Sequence, residues 1–312
     1  YHFIYALGNA PATIDAAKFF KMRLEQESKG TLSCDIYTDN VLGSERELLE
    51  GCQFGNYDIV LATNATVASF ENDIFCLDIP WLFDNKQQVY EVLDGPLGDR
   101  LADGLEESGF KLLQWQENGF RTLSTNKPIN DMSDLKGVKI RIMENELQLQ
   151  QWKDYGANPT PMAFTELFTA LQQKTVDAQD NGAELTWQTK FYEVQSHYTY
   201  TKHIYSPYLI LMSKDKFDGL TPEQQEIVLK VSDEAVAYER QRCDEYEQTA
   251  LDNIKNCGTM QYSDLTPEVK AEMVKACKNI KELAYKKVTD PSVVDLLYDE
   301  VAKAKEKFPE EG

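Results

Sequence analysis

Gly137-Val-Lys-Ile-Arg141-Ile-Met-Glu-Asn145, followed by Gly156-Ala-Asn-Pro-Thr-Pro-Met-Ala-Phe164, is the stretch whose reading decides the fold of this chain. Val138–Ile142 has the branched and long side chains of a short strand, opened by a glycine and closed by polar Glu144 and Asn145. Helical spacing follows at Glu146–Tyr155 and again at Glu166–Gln173, and a strand pattern at Phe120–Thr125 precedes them. Strands alternating with helices of this length predict an α/β layer.

The same alternation extends outward in both directions. Toward the N-terminus, Phe3–Leu7 reads as a strand, Ile14–Ser28 as an amphipathic helix stopped by Gly30, and Thr31–Tyr37 as a strand. Ser44 with Glu47 three residues on is a capping-box pattern that starts a helix. Tyr57–Ala62 is a strand after the Gly55-Asn56 turn, and Pro80 breaks the chain. Lys86–Leu93 and Leu97–Ser108 then read as helices and Phe110–Gln116 as a strand. This order predicts a largely parallel sheet. The alternating set that begins near Phe120 runs to about Tyr205, after which Tyr208–Ser213 is a strand able to return to the first lobe. Thr221-Pro-Glu-Gln224 combines a capping box with proline in the first turn. No Gly or Pro interrupts the chain from there to Gly258, which allows a helix of about 50 Å. Helices after Thr266 close the chain, and no internal repeat or low-complexity segment is present.

At 312 residues, two lobes are expected rather than one core, and 42% apolar content supplies both. A net charge of −20 argues against nucleic acid as a partner, since phosphate binding needs clustered Lys and Arg. An anionic ligand would have to be attracted by a few local cations. No apolar run reaches the roughly 18–20 residues of a membrane span. The opening Tyr1-His-Phe-Ile-Tyr5 reads as a first strand, so a chain whose export signal has been removed is expected, with a cytosolic chain as the alternative. The six cysteines form no Cys-x-x-Cys pair and the histidines lie far from them, so no metal site is expected. Their spacing forces no disulfide and equally suits buried thiols. No nucleophile elbow, phosphate loop or His-Glu-x-x-His motif occurs.

Added to Asn118-Gly-Phe-Arg121, Ala170-Leu-Gln-Gln173, Val176-Asp-Ala-Gln-Asp-Asn181 and Phe191-Tyr-Glu-Val-Gln195, the two opening segments resemble the extracytoplasmic substrate-binding proteins of TRAP transporters, the DctP family. The resemblance covers nearly the whole chain. It implies a two-lobed periplasmic-binding-protein-like α/β fold with a ligand cleft between the lobes. Lobe I would comprise 1–119 and 208–247, lobe II 120–207 and 248–312, and a helix over about 222–256 would span both. It implies a binding protein without catalytic residues, cofactor or metal, which captures an organic acid and delivers it to membrane transporter subunits. Location would be extracytoplasmic, either periplasmic or lipid-anchored at the outer face of the membrane.

Arg141 ends the decisive strand, and a guanidinium offers paired planar donors that fit a carboxylate and never lose their charge. Read alone it is more simply a surface arginine flanked by Lys139 and Glu144; the resemblance reverses this and makes it the carboxylate-binding residue. Arg121, otherwise a rim salt-bridge partner, would support the same carboxylate. Asn181 would donate an amide N–H, although Ala178, Asp180 and Gly182 depart from the family's Gly-Gln-Glu-Asn-Pro and leave the local backbone in question. Phe164 would pack on the ligand, with plain core as the alternative. From the first lobe, Asn9, Glu45, Thr63 and Asn64 are the expected readers of hydroxyl groups, each also readable as a cap or turn residue. Tyr205, Tyr208 and Trp187 are further wall candidates or core, and His203 reads as structural.

The expected ligand is an organic monocarboxylate, a sugar acid and most specifically a uronate such as glucuronate or galacturonate. A dicarboxylate, sialic acid, or an aromatic or phosphorylated acid are the other ligands considered. A chemosensory module of the same fold and an enzyme of the cleft type are the other functions.

Overall fold

The computed structural model describes residues 1–310. A first sheet has the order β2-β1-β3-β10-β4: β1 is His2–Ala6, β2 Ser33–Tyr37, β3 Ile59–Thr63, β4 Phe110–Gln116 and β10 Tyr208–Ser213. β1 pairs in parallel with β2 and β3, whereas β10 inserts antiparallel between β3 and β4. A second sheet has the order β11-β9-β5-β8-β6-β7: β5 is Phe120–Thr125, β6 Lys139–Ile142, β7 Asn158–Pro161, β8 Ala178–Asn181, β9 His197–Tyr205 and β11 Gln261–Asp264. Each sheet, with its helices, forms one lobe.

The chain passes between the sheets after β4 and again after β9. The two crossings touch, with Ser206 N donating to Gly119 O at 3.1 Å. Gly119 adopts φ +87°, a left-handed turn that glycine makes without steric cost and that redirects β4 into β5 within three residues. The third link is the helix Pro222–Asn256, capped by Thr221 and Gln224 as the sequence predicts. Its first half packs on the Pro11–Glu27 helix and β4, its second on the Ala183–Gln188 helix and β11. The chain after 248, expected with the second lobe, divides. β11 joins the second sheet, while the Ser292–Lys307 helix packs on Lys86–Leu93 and Pro96–Glu107 beside the first sheet.

Phe3, Tyr5, Phe20, Ile210 and Val231 share one core, formed where one face of the first sheet meets the Pro11–Glu27 and Pro222–Asn256 helices. A larger core runs from the other face through Phe110 and Trp115 to Ile140 and Trp152 of the second lobe, and includes Val293 and Leu297. The apolar interior is therefore continuous behind the cleft, which suits hinge bending more than independent lobes. Five of the six cysteines are buried, and all are free thiols.

The prediction misses β7, β8, β9 and β11. β7 is Asn-Pro-Thr-Pro, whose prolines suit only a sheet edge, and it does lie at the edge next to β6. β8 is Ala-Gln-Asp-Asn, fully buried yet polar, so its sequence carries turn signals where the structure has a central strand.

Candidate ligand-binding site

β5, β6 and β8 bring their cleft-facing ends together, and the sequence places Arg121, Arg141 and Asn181 there. All three are buried and line a cavity of about 50 Å³ between the lobes. Glu45, Thr63 and Asn9 line it from the first lobe, and Phe164 and Tyr208 complete its walls.

The two arginines are equally buried, each 2% exposed, but differently partnered. Arg121 donates from Nε to Asp180 Oδ2 at 3.0 Å and from Nη2 to Asp180 Oδ1 at 2.9 Å, a fork-to-fork pair. It also donates from Nη2 to the Asp180 carbonyl, and its Nη1 reaches Asn181 Oδ1 at 3.4 Å. Burial works against its charge, but Asp180 more than compensates and its pKa lies above the ordinary arginine value. Asp180 itself is held well below the carboxylate range: burial opposes its charge, but Arg121 and the His203 hydrogen bond at 3.0 Å outweigh it. His203, fully buried, is anchored in turn by Thr201 at 2.8 Å, a structural placement as the sequence suggests. Arg121 thus reaches the cavity with its charge already balanced.

Arg141 has no such partner. Its Nε donates to Met162 O at 2.9 Å, while its two Nη atoms make no hydrogen bond or ion pair among the described residues. Burial first, and the neighbouring Arg121 second, pull it down to about 10, against the attraction of Asp180, Glu45 and Glu144. A guanidinium does not deprotonate at neutral pH. Burial and the neighbouring positive charge both disfavour the bare cation, so an anion beside it would be favoured.

Opposite, Glu45 opens the Glu45–Gln53 helix, whose Ser44–Glu47 capping box is present as predicted. Its Oε2 accepts from Thr63 N at 3.2 Å, Thr63 Oγ1 at 2.6 Å and Thr66 Oγ1 at 2.7 Å. Its Oε1 accepts nothing among the described residues. Arg46, also at this wall, is paired with Glu50 at 3.2 Å. Asn9 lines the cavity without a side-chain hydrogen bond among the described residues. Asn64 does not reach the cavity; it lies behind Thr63, donating to Asp78 Oδ2 at 2.9 Å and accepting from Ser206 Oγ at 2.9 Å. Asn181 lines the cavity, with one N–H given to Gln179 Oε1 at 2.6 Å. Gly182 holds φ −63°, a value that a proline at this position would also hold. Phe164 serves both readings: it packs on Phe191 with ring centroids 6.3 Å apart and still lines the cavity. Tyr208 is a wall residue. Tyr205 instead packs on Phe120, and Trp187 stacks on Tyr192.

Sequence reasoning misses Thr66, Asn118, Met143, Met162 and Leu185 at the cavity, and Asp180 behind it. Thr66 lies three residues past Thr63, one turn along the short Asn64–Val67 helix, a spacing that would have flagged it. Glu117, Asp244 and Glu247 cluster closely enough to suggest a metal. The Lys86 ammonium fills that position, at 2.6, 2.8 and 2.7 Å from the three carboxylates.

Residues 5–287 match the bacterial extracellular solute-binding proteins of family 7, DctP. The chain is 36% identical over 251 residues to the 2,3-diketo-L-gulonate-binding periplasmic protein YiaO of Escherichia coli, covering 80% of this chain and 76% of that protein. The sugar acid binding protein DctPAm of Advenella mimigardefordensis, in complex with galactonate, superposes with a TM-score of 0.94 at 31% identity, over 97% of this chain and 98% of that one. A TRAP periplasmic solute binding protein of Sulfitobacter sp. NAS-14.1 with bound β-D-galacturonate superposes at 0.90 and 26% identity, over 96% and 100%. Its family match, its two sheets and its interlobe cavity place this chain in the DctP family of TRAP solute-binding proteins, whose members bind organic acids and are not enzymes.

Proposed function

We propose that this protein captures a sugar acid with a single carboxylate, a uronate or an open-chain six-carbon acid, by closing its lobes over it. The observation that carries the reading is Arg141, a buried guanidinium with both Nη atoms unpaired and facing a cavity. A buried charge without a partner is costly, and a ligand carboxylate removes that cost. Arg121 and Asn181 border the same position; Arg121 orients through Asn181 more than it attracts, because Asp180 already balances it.

Glu45 argues for hydroxyl groups at the ligand's other end. Its spare oxygen is an acceptor, and a ligand hydroxyl can donate to it. The second carboxylate of a dicarboxylate would meet like charge there, with Arg46 committed to Glu50. The galactonate complex of DctPAm and the β-D-galacturonate complex from Sulfitobacter support this chemistry by similarity.

The lobes are taken as 1–119 with 208–247 and the Ser292–Lys307 helix, and 120–207 with β11, hinged at the crossings near Gly119 and Ser206-Pro207. The cavity, about 50 Å³, is smaller than the roughly 150 Å³ that takes up benzene elsewhere, so a six-carbon acid enters only if the lobes part. The captured acid passes to membrane subunits of a TRAP transporter outside the cytoplasm, from a periplasmic or lipid-anchored position. No helix among the described residues is long and apolar enough to cross a membrane.

Calorimetry with galactonate, galacturonate, glucuronate, succinate and galactose tests the reading. At least one sugar acid is expected to bind far more tightly than succinate, and galactose not at all. Succinate binding best, or galactose binding as well as galacturonate, would overturn it.

A further inference from the structure

Asp78 ends the 3-10 turn Asn72–Asp78 of the first lobe and is fully buried. Its Oδ2 accepts from Asn64 Nδ2 at 2.9 Å and from Asn145 Nδ2 at 3.0 Å, and its Oδ1 accepts from Gln148 Nε2 at 2.9 Å. No cationic side chain pairs with it among the described residues. Burial pushes it up to about 7, in spite of the Gln148 hydrogen bond, the field of Arg121 and the two asparagine amides.

The donors belong to both lobes. Asn64 follows Thr63 of β3, on the hydroxyl-reading wall. Asn145 and Gln148 begin the Glu146–Asp154 helix directly after the strand of Arg141, and Asn145 Oδ1 caps that helix through Leu147 N at 2.9 Å. None of these four residues lines the cavity, yet each of the three donors is joined to one that does. Gln148 Oε1 accepts from the backbone N–H of Met143, a cavity residue, at 3.3 Å. Asn64 also holds Ser206 of the second crossing.

We propose that Asp78 is a positioning residue for ligand capture: a carboxylate hub that ties the Thr63 wall to the Arg141 wall and sets their separation in the closed protein. The inference rests on the lobe closure proposed above. Its logic is donor counting. Three amide N–H groups converge, and a carboxylate accepts them all. An asparagine at 78 would keep one oxygen for Asn64 and Asn145 but turn an N–H toward that of Gln148. Gln148 can relieve this by flipping its amide, but the flip then faces its N–H with the N–H of Met143. Every arrangement leaves a buried donor unsatisfied, and the misfit is delivered to a cavity wall.

A reciprocal swap tests this. Asp78→Asn combined with Gln148→Glu restores every hydrogen bond: the new amide donates to the new carboxylate, which still accepts from Met143 N, and net charge is unchanged. With galactonate as probe, calorimetry is expected to show about 10-fold weaker binding for Asp78→Asn and at least as large a loss for Gln148→Glu. The double variant should return to within about threefold of wild type, the coupling expected of residues that share one hydrogen-bond network. X-ray scattering should find the ligand-saturated single variants more expanded than wild type or the double, which a merely structural role would leave unchanged in protein that is fully folded by circular dichroism. If Asp78→Asn does not fold, Gln148→Ala replaces it, with an expected loss of roughly threefold to 10-fold. Wild-type affinity and radius in a folded single variant, or a double variant no better than the singles, would overturn the hub. If wild type binds none of the acids, the functional reading fails alone. Ligand-free scattering then decides the tie, with Asp78→Asn expected to be expanded and the double compact; equal radii would overturn it.

Discussion

The wall built by β5, β6 and β8 and the wall built by β3 and the Glu45–Gln53 helix face one cavity with opposite chemistry. The first presents guanidinium and amide donors; the second presents a carboxylate braced by threonine hydroxyls. Within the first wall the contrast repeats on a smaller scale. Arg121 and Arg141 share residue type, burial and strand-end position, yet Asp180 pairs with one and no side chain among the described residues pairs with the other. On the proposed function, binding capacity resides in which charge is left unpaired, and an arginine count alone does not reveal it. In the proposed reading, the carboxylate common to the ligand class is met by one wall, and what distinguishes its members is met by the other.

Removing the forked donors from the first wall breaks this comparison most severely. Arg141→Lys keeps the charge and loses the planar pair of N–H groups, so it separates bidentate recognition from net charge. A charge-assisted hydrogen bond contributes roughly 1.5–3 kcal/mol, hence a loss of about 10- to 100-fold in affinity for the bound sugar acid is expected by calorimetry. Unchanged affinity would move the carboxylate away from Arg141. The ligand-free melting temperature should hold, because lysine leaves the same uncompensated charge that the guanidinium does.

The second wall is probed by Glu45→Gln. The amide oxygen can retain the hydrogen bonds from Thr63 and Thr66, while the NH2 replaces the spare acceptor. Sugar-acid affinity is expected to fall by about 10-fold and succinate affinity to rise, narrowing the preference between them. A parallel loss for both ligands would show that Glu45 supports the wall without reading the ligand.

How much of this was legible in the sequence follows the same division. The strands β4, β5 and β10 were readable because their apolar runs are bounded by turns, and the long helix because its cap is explicit and no Gly or Pro interrupts it. Arg141, Arg121 and Asn181 were placed by their motifs. Their partners were not: Asp180 meets Arg121 across 59 residues, and local pattern carries no information about such pairs. β8 was hidden because its buried side chains are Gln, Asp and Asn, held by hydrogen bonds instead of apolar packing. Asn64 was expected at the ligand and lies behind the wall, because a polar residue at a strand end looks the same whether it meets a ligand or, as here, Asp78 and Ser206.

The smallest expected effect concerns what lies beneath the walls. Asp180 is a buried carboxylate with a cation; Glu239, in the middle of the long helix, is a buried carboxylate without one among the described residues. Its oxygens accept from Cys243 Sγ at 2.8 Å and Glu117 N at 3.3 Å. Burial, with Glu117 and Glu184 adding like charge, pushes it up to about 8, and burial raises Glu184 to about 7 although Ala12 N donates to it at 2.9 Å. Lys86, the cation of this region, is engaged by Glu117, Asp244 and Glu247. Both pKa values exceed those of an unfolded glutamate, about 4.3, so between the two the folded state holds more protons than the unfolded state. Stability from these groups is therefore fully present below about pH 4 and lost as pH rises through 7 to 8. Asp180 runs the other way, since its depressed pKa makes its contribution complete above about pH 4 and lost in acid. Calorimetric scans are expected to show the melting temperature falling from pH 5 to pH 8.5, on the order of 5 °C, given about 2–4 °C per kcal/mol for a chain near this size. Glu239→Gln should remove part of that slope and melt higher than wild type at pH 8.5, while an identical slope in the variant would assign the effect to Glu184 and Asp78 instead.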